Sequence, residues 1–395
     1  MRAVTWQGVH DVRVEQVPDP VIQEPTDILI RVTSSGLCGS DLHLYEVLAP
    51  FMEPGDVLGH EPMGIVEEVG SDIHHLDVGD RVVVPFNISC GHCWMCSRQL
   101  YSQCETTQNT EHGTGASLLG YSKLYGQVPG GQAEYLRVPH GDFGPVKVPN
   151  GPPDDRFLFL SDVLPTAWQA VEYADVEQGG TLVVVGAGPI GDMAARIGLH
   201  RGLRVVVADR VPERLDRVEQ RGAEVVDIDQ LNGGGLGEEI RSRTAGRGAD
   251  AVIDAVGMES HGSPTVKVAQ KVVGLLPDAV AGPLSLKAGS DRLAALTSAF
   301  DAVRRGGTVS ISGVYGGAVD PLPLMQIFDK QVQIRMGQAN VRRWTDDILR
   351  LLEKDDDVLG VESFATHHVP LDEAPTAYET FQKKEDGAVK VVFRP

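Results

Sequence analysis

Four of the chain's five cysteines lie in SCGHCWMCSRQLYSQC, residues 89–104. The spacing Cys90-x2-Cys93-x2-Cys96-x7-Cys104 gathers four soft thiolates closely enough to wrap one tetrahedral ion. Zinc and an iron–sulfur cluster both accept four sulfurs. A zinc held by all four has no open position, so it would stiffen a loop that lacks its own core. His92 lies inside the cluster and is not needed for a fourfold shell. The fifth cysteine, Cys38, stands apart in LCGSDLH, with His60 and Glu61 following in GHEPMG and Asp162 in LSDVLPTAW. A thiolate, an imidazole and a carboxylate leave zinc a fourth position for water or substrate, although spacing alone does not bring these three together.

A second chemistry is written in one contiguous stretch. The apolar run TLVVV leads into Gly186-Ala187-Gly188-Pro189-Ile190-Gly191 and then into an amphipathic helix. The first glycine suits a tight turn, the second a close approach of backbone to a pyrophosphate, the third the packing of helix on strand. The helix start offers free N–H groups and a positive dipole end to the phosphates. Asp209 follows 21 residues after Gly188, at the end of LRVVVAD. A carboxylate there accepts from a ribose and repels a 2′-phosphate, which favours NAD over NADP. Arg210 and Arg214 blur that preference, because either could pair with such a phosphate.

The elements that must position these groups change texture along the chain. The first ~160 residues carry short β-type runs broken by glycine and proline (DILIRVTSSG, GIVEEVGSD, DRVVVPF, AEYLRVP), the punctuation of a β-rich unit. From about residue 164, buried strands alternate with amphipathic helices, among them helices VPERLDRVEQRG, LGEEIRSRTAG and DRLAALTSAFDAVRRG. That alternation predicts a parallel sheet covered on both faces. Residues 258–290 are too long for a direct strand-to-helix connection and read as an insertion with its own short helix, TVKVAQKVVGLL. GGG at 233–235 reads as a loop. A helix over RRWTDDILRLLEK precedes a mixed tail.

Composition narrows the functional class. The 395 residues suggest two or three domains, and a formal net charge of −20 argues against a phosphate-backbone partner. There is no apolar run of ~18 residues and no signal-peptide core near the start, so the expected location is cytoplasmic and away from membranes. An odd cysteine count without an export signal favours metal or catalysis over a disulfide framework.

CGSDLH, GHEPMGIVEEVG, the four-cysteine loop, GGQAEYLRVP and GAGPIG occur in the order seen in zinc-dependent medium-chain alcohol dehydrogenases, and the chain resembles that family over essentially its whole length. In LSDVLPTAW an aspartate stands where liver-type alcohol dehydrogenases carry a cysteine, which resembles the glutathione-independent formaldehyde dehydrogenase branch. The resemblance implies an α/β fold. A GroES-like β-rich catalytic domain, 1–163 completed by 339–395, would accompany a Rossmann doubly wound parallel-sheet domain, 164–338, with the active site in the cleft between them.

It further implies that Cys38, His60 and Asp162 hold a catalytic zinc, with Glu61 as an occasional extra ligand and Asp41 orienting His60. Cys90, Cys93, Cys96 and Cys104 would hold a structural zinc, and Ser40 and His43 would relay the proton. Gly39, Gly186, Gly188, Ile190, Gly191, Asp209, Arg214, Val256 and Val314 would contact the cofactor. In the formaldehyde dehydrogenase branch an added loop covers the adenine end of a tightly held NAD; the 258–290 insertion is not matched to it. The implied activity is hydride transfer from an alcohol or hydrated aldehyde to NAD, in a homodimer or homotetramer with VQIRMGQ as an edge strand. A polyol or threonine-type dehydrogenase, an iron–sulfur electron carrier and a non-catalytic NAD-binding protein are the other readings. The adjacent pairs His74/His75 and His367/His368 match no motif and read as structural.

Overall fold

A computed structural model describes residues 1–231, 235–257, 293–315 and 322–395. The expected insertion at 258–290, its short helix and residues 233–234 of the glycine loop lie outside the described residues. The chain divides into two compact units, 1–166 with 338–395 and 167–337.

In the first unit, strand Ile28–Leu37 is the hub of a seven-stranded sheet. It pairs antiparallel with Glu61–Val69, with Tyr135–Val138 and with Val391–Arg394. Its alternating residues Ile28, Ile30 and Val32 enter a core with Val66, Val82, Leu136 and Val138. The register decides which residues meet at the strand ends. Gly36 faces Glu61 and Leu37 faces Val391, so the residues just beyond these pairs, Cys38, His60 and Lys390, converge at one end of the sheet. Gly36 must be glycine there, because a Cβ would lie 2.3 Å from Glu61 Oε2.

The second unit is built on six strands, Thr181–Val185, Arg204–Asp209, Glu224–Asp227, Ala249–Asp254, Val303–Ile311 and Gln333–Met336, all paired in parallel. Across the sheet they run third, second, first, fourth, fifth, sixth, the doubly wound dinucleotide-binding order. Val183, Val185, Val206 and Val226 pack on Leu236, Ile240, Leu296 and Ala299 from two helices. The intervening residues Leu182 and Val205 face Gly198 of helix Pro189–His200, whose missing Cβ would lie 3.2 and 2.9 Å from their methyls. Alternate side chains thus bury on opposite faces, which explains why these strands read as continuous apolar runs.

Two helix boundaries differ from the sequence expectation. Among the described residues of DRLAALTSAFDAVRRG the helix spans Ala294–Ala302, and Val303 already belongs to the next strand. Val303 pairs with Ala249, and Arg304 lies 2.7 Å from Asp250, so sheet contacts take these residues from the helix. Gly235, expected in a loop, opens helix Gly235–Arg243.

Helix Pro189–His200 is pinned by Asp192, fully buried and 2.7 Å from Arg196 and 2.6 Å from Arg217. Asp192→Ala strands a buried guanidinium and is expected to cost about 3 kcal/mol. Thermal unfolding followed by circular dichroism should show a melting point lower by roughly 6–10 °C. Arg305→Ala, which removes an exposed ion pair with Asp329, should change it by about 1 °C or less.

Candidate functional site

The convergence at the sheet end of the first unit gathers a compact donor set. One ligand atom from each of Cys38, His60, Glu61 and Asp162 lies within 4.8 Å of the others, and all four residues are buried. Cys38 Sγ lies 3.2 Å from Asp162 Oδ2, and His60 Nε2 lies 3.5 Å from the same oxygen. Asp162 ends the short helical turn Leu158–Ser161, and its Oδ1 accepts from the Thr166 hydroxyl at 2.8 Å, which fixes the carboxylate plane. Asp41 Oδ1 lies 3.0 Å from His60 Nδ1, on the ring side away from the donor set. Spacing left Cys38, His60 and Asp162 apart in sequence; the fold brings them together.

Electrostatics describe a site built around a positive charge. Burial, with Asp162 beside it, pushes the Cys38 thiol up to about 12. Burial also favours protonation of Asp162, but the hydrogen bond and charge of His60 outweigh it and hold the carboxyl at about 2. Burial raises Glu61 against the opposing charge of Lys390. Glu61 Oε1 accepts from Lys390 Nζ at 2.5 Å, whereas Glu61 Oε2 is buried with no hydrogen-bond partner among the described residues. A thiol, an imidazole and carboxylates packed this way fit a divalent ion, which stabilises the thiolate that burial alone suppresses.

Sequence reading missed Lys390. It is fully buried on the segment leading into strand Val391–Arg394, and its Nζ also donates to Leu37 O at 3.0 Å. Nothing local in GAVKVVF distinguishes this lysine from an edge-strand charge; only the register does.

Ser40 and His43 sit on helix Gly39–Tyr45, which starts directly after Cys38. Ser40 Oγ donates to Cys38 Sγ at 3.2 Å and lies 3.2 Å from His60 Nε2. His43 is buried, not the surface histidine that its local sequence alone would allow. Of the unmatched pairs, His75 Nδ1 lies 3.0 Å from Asp142 Oδ1 and His368 Nε2 lies 2.6 Å from Asp155 Oδ2.

The four-cysteine loop folds into a second donor set, with Cys90, Cys93, Cys96 and Cys104 Sγ atoms within 4.8 Å of one another. Bonds of about 2.3 Å in a tetrahedron separate sulfurs by about 3.8 Å; Cys93 and Cys104 are 3.9 Å apart. Backbone N–H groups of Cys93, Cys96, Cys104's neighbour Glu105 and Cys90 point at the sulfurs, each at 3.4 Å. Burial would raise Cys93, but such donors, from Cys96 and Glu105 first, bring it down to about 6. His92 Nδ1 lies 2.9 Å from Cys90 O, turned to the backbone and not counted in the donor set.

In the second unit the glycine turn shows its logic. Gly186 has φ +97°, and a Cβ at Gly191 would lie 1.8 Å from Gly186 O. Gly188 has neither constraint: a Cβ there meets nothing closer than Arg214 at 3.6 Å. Chain packing therefore does not demand glycine at 188, whereas a phosphate against the backbone does. Asp209 Oδ2 accepts from Ala187 N at 2.5 Å, tying the turn to the second strand. Val256 packs on Gly186, Ile190 is half-buried in the first helical turn, and Val314 is exposed.

The sequence profile described as alcohol dehydrogenase GroES-like domain matches residues 24–150, and that of zinc-binding dehydrogenase matches 189–271. An uncharacterized zinc-type alcohol dehydrogenase-like protein of Bacillus subtilis is 41% identical, with 100% of both chains aligned. The chain belongs to the zinc-type alcohol dehydrogenase family. It is an oxidoreductase acting on small-molecule alcohols with zinc and a nicotinamide cofactor. The glutathione-independent formaldehyde dehydrogenase of Pseudomonas aeruginosa is 32% identical over 96% of this chain and 94% of its own. The solved alcohol dehydrogenase TADH from Thermus sp. ATN1 superposes with a TM-score of 0.81 at 36% identity, covering 100% of this chain and 99% of its own. The expected combination of a GroES-like β-rich part and a Rossmann parallel sheet is thereby borne out. None of the described helices is long and apolar enough to cross a membrane.

Removing the Lys390 charge leaves Glu61 buried without its cation. Lys390→Met should destabilise the protein by about 3–5 kcal/mol, and adding Glu61→Gln should recover part of that loss. Thermal melts of the two variants read the difference; an additive second loss would count against the pairing.

Proposed function

We propose that the chain catalyses NAD-linked oxidation of a primary alcohol or hydrated aldehyde at a zinc held by Cys38, His60 and Asp162. The observation that carries this reading is the buried convergence of those donors with Glu61 in one 4.8 Å cluster. A bound zinc acts as a Lewis acid that eases loss of the hydroxyl proton from substrate. Ser40, whose hydroxyl reaches both Cys38 and His60, accepts the departing proton at Oγ as it releases its own. His43, one helical turn on, receives it next. Asp41 keeps the His60 ring turned so that Nε2 faces the donor set. The four cysteines hold a second, structural zinc.

Support for the cofactor comes from Gly188, whose freedom from internal packing suits a pyrophosphate, and from Asp209, whose charge at the strand end disfavours a 2′-phosphate. Gly39, Ile190, Val256 and Val314 complete the assigned contacts, and Arg214 lies beside Gly188, where it can meet a phosphate. On this reading residues 1–163 with 339–395 act on substrate and 164–338 bind NAD. We place the enzyme in the cytoplasm. Formaldehyde or another small aldehyde hydrate is the favoured substrate, because aspartate at 162 and the 32%-identical formaldehyde dehydrogenase point the same way.

Among the described residues, strand Gln333–Met336 ends the parallel sheet, and Ile334, Met336, Met325 and Phe328 are exposed. An open edge with apolar flanks supports pairing with a second copy, in a homodimer or homotetramer. Phe328→Glu with Met336→Glu should shift light-scattering mass towards the monomer; an unchanged mass removes this edge as the interface.

The activity test measures NADH absorbance with formaldehyde, primary and secondary alcohols and polyols, without glutathione. Metal analysis should find two zinc ions per chain. Cys38→Ala should lose one of them and at least ~10³-fold in turnover, and NAD should be preferred over NADP by roughly tenfold or more. Polyols as best substrates would favour the polyol-type reading, and no turnover by zinc-loaded protein would favour a binding role.

A further inference from the structure

Asp41 is fully buried, and what holds it lies one layer further out. Its Oδ2 accepts from Cys38 N at 3.0 Å and from Gln132 Nε2 at 3.3 Å, while Oδ1 faces His60. Gln132 is also fully buried, in the GGQAEYLRV stretch, and its Oε1 accepts from the Tyr378 hydroxyl at 2.8 Å. An amide has one accepting and one donating end. A hydroxyl committed to Oε1 therefore points Nε2 at Gly36 O, 3.3 Å away, and at Asp41. The backbone of Gln132 is locked to the same turn that delivers His60. Gln132 N donates to Leu58 O at 2.9 Å, and a Cβ at Gly59, φ +97°, would lie 2.5 Å from Gln132 N.

We propose that Tyr378 and Gln132 are positioning residues for the metal centre. The chain Tyr378–Gln132–Asp41 sets the orientation of His60, and with it how tightly the centre holds its ion and which ligand angles it offers. This rests on the reading of Cys38, His60 and Asp162 as ligands. Tyr378 comes from helix Ala374–Lys383 and packs its ring 5.5 Å from Tyr45, so phenylalanine preserves the packing and removes only the donor. Burial first, and the Asp41 charge second, push the Tyr378 phenol well above its usual range, so it stays a donor throughout the working pH range.

The test uses the zinc-loaded full chain. Two quantities are read: the rate at which a coloured chelator takes the ion that Cys38→Ala abolishes, and the visible bands after cobalt(II) replaces it. Tyr378→Phe should speed release roughly 3–10-fold and Gln132→Met roughly 10–100-fold, the range for outer partners of metal-bound histidine. Both should move the cobalt bands. The double variant should release no faster than Gln132→Met alone, because Tyr378 acts through Gln132. Wild-type release rates and unmoved bands in both single variants overturn the proposal. So do effects that multiply in the double variant, as independent packing losses would. If Gln132→Met does not fold, Tyr378→Phe with unmoved bands and wild-type release is sufficient to overturn it. A wild-type chain that holds no ion dependent on Cys38 overturns the ligand reading itself, which is a separate outcome.

Discussion

The constraint on which the first unit depends is the burial of too many acidic groups around one point. Cys38, Glu61, Asp162 and Asp41 all lie out of solvent, with Lys390 as a permanent cation among them. Leaving charges unpaired in such a place costs several kcal/mol each. The chain meets part of the difficulty itself: Lys390 answers Glu61, and the His60 ring stands between Asp162 and Asp41. A divalent cation bound there would meet the rest, and the glycines at 36 and 59 let side chains approach that closely.

The second unit solves a different problem with the same residue. Gly186 supplies a left-handed turn and Gly191 a close contact, while the chain's own packing leaves room at Gly188. Asp209 secures the turn through Ala187 from the end of the second strand. Both units therefore place chemistry where parallel or paired strands stop, and both use backbone N–H groups as fixed positive ends, as the cysteine loop does around its sulfurs.

What was legible in the sequence was local. The cysteine spacing and the glycine turn each fit in under twenty residues, and their meaning survives without the fold. The alternation of strand and helix was readable because strands buried on both faces carry no polar interruption. Asp162 was not readable from spacing, since only the sheet end makes it a neighbour of Cys38, and the family resemblance supplied it. Lys390, Gln132 and Tyr378 were invisible for the same reason: a buried lysine on an outer-looking strand and an ordinary glutamine carry no local signal. The helix ending at Ala302 was overextended because Val303 and Arg304 suit a helix locally and are claimed by Ala249 and Asp250 from elsewhere.

The wide separation of Glu61 and Lys390, 329 residues apart in the chain, also orders events in time. A ribosome adding roughly 5–20 residues per second takes roughly 15–65 s to cover that distance. Throughout that interval Glu61 has been made and its cation has not. The whole six-stranded unit leaves the ribosome before the lysine does, so it is free to fold while the first unit still waits for its last strand.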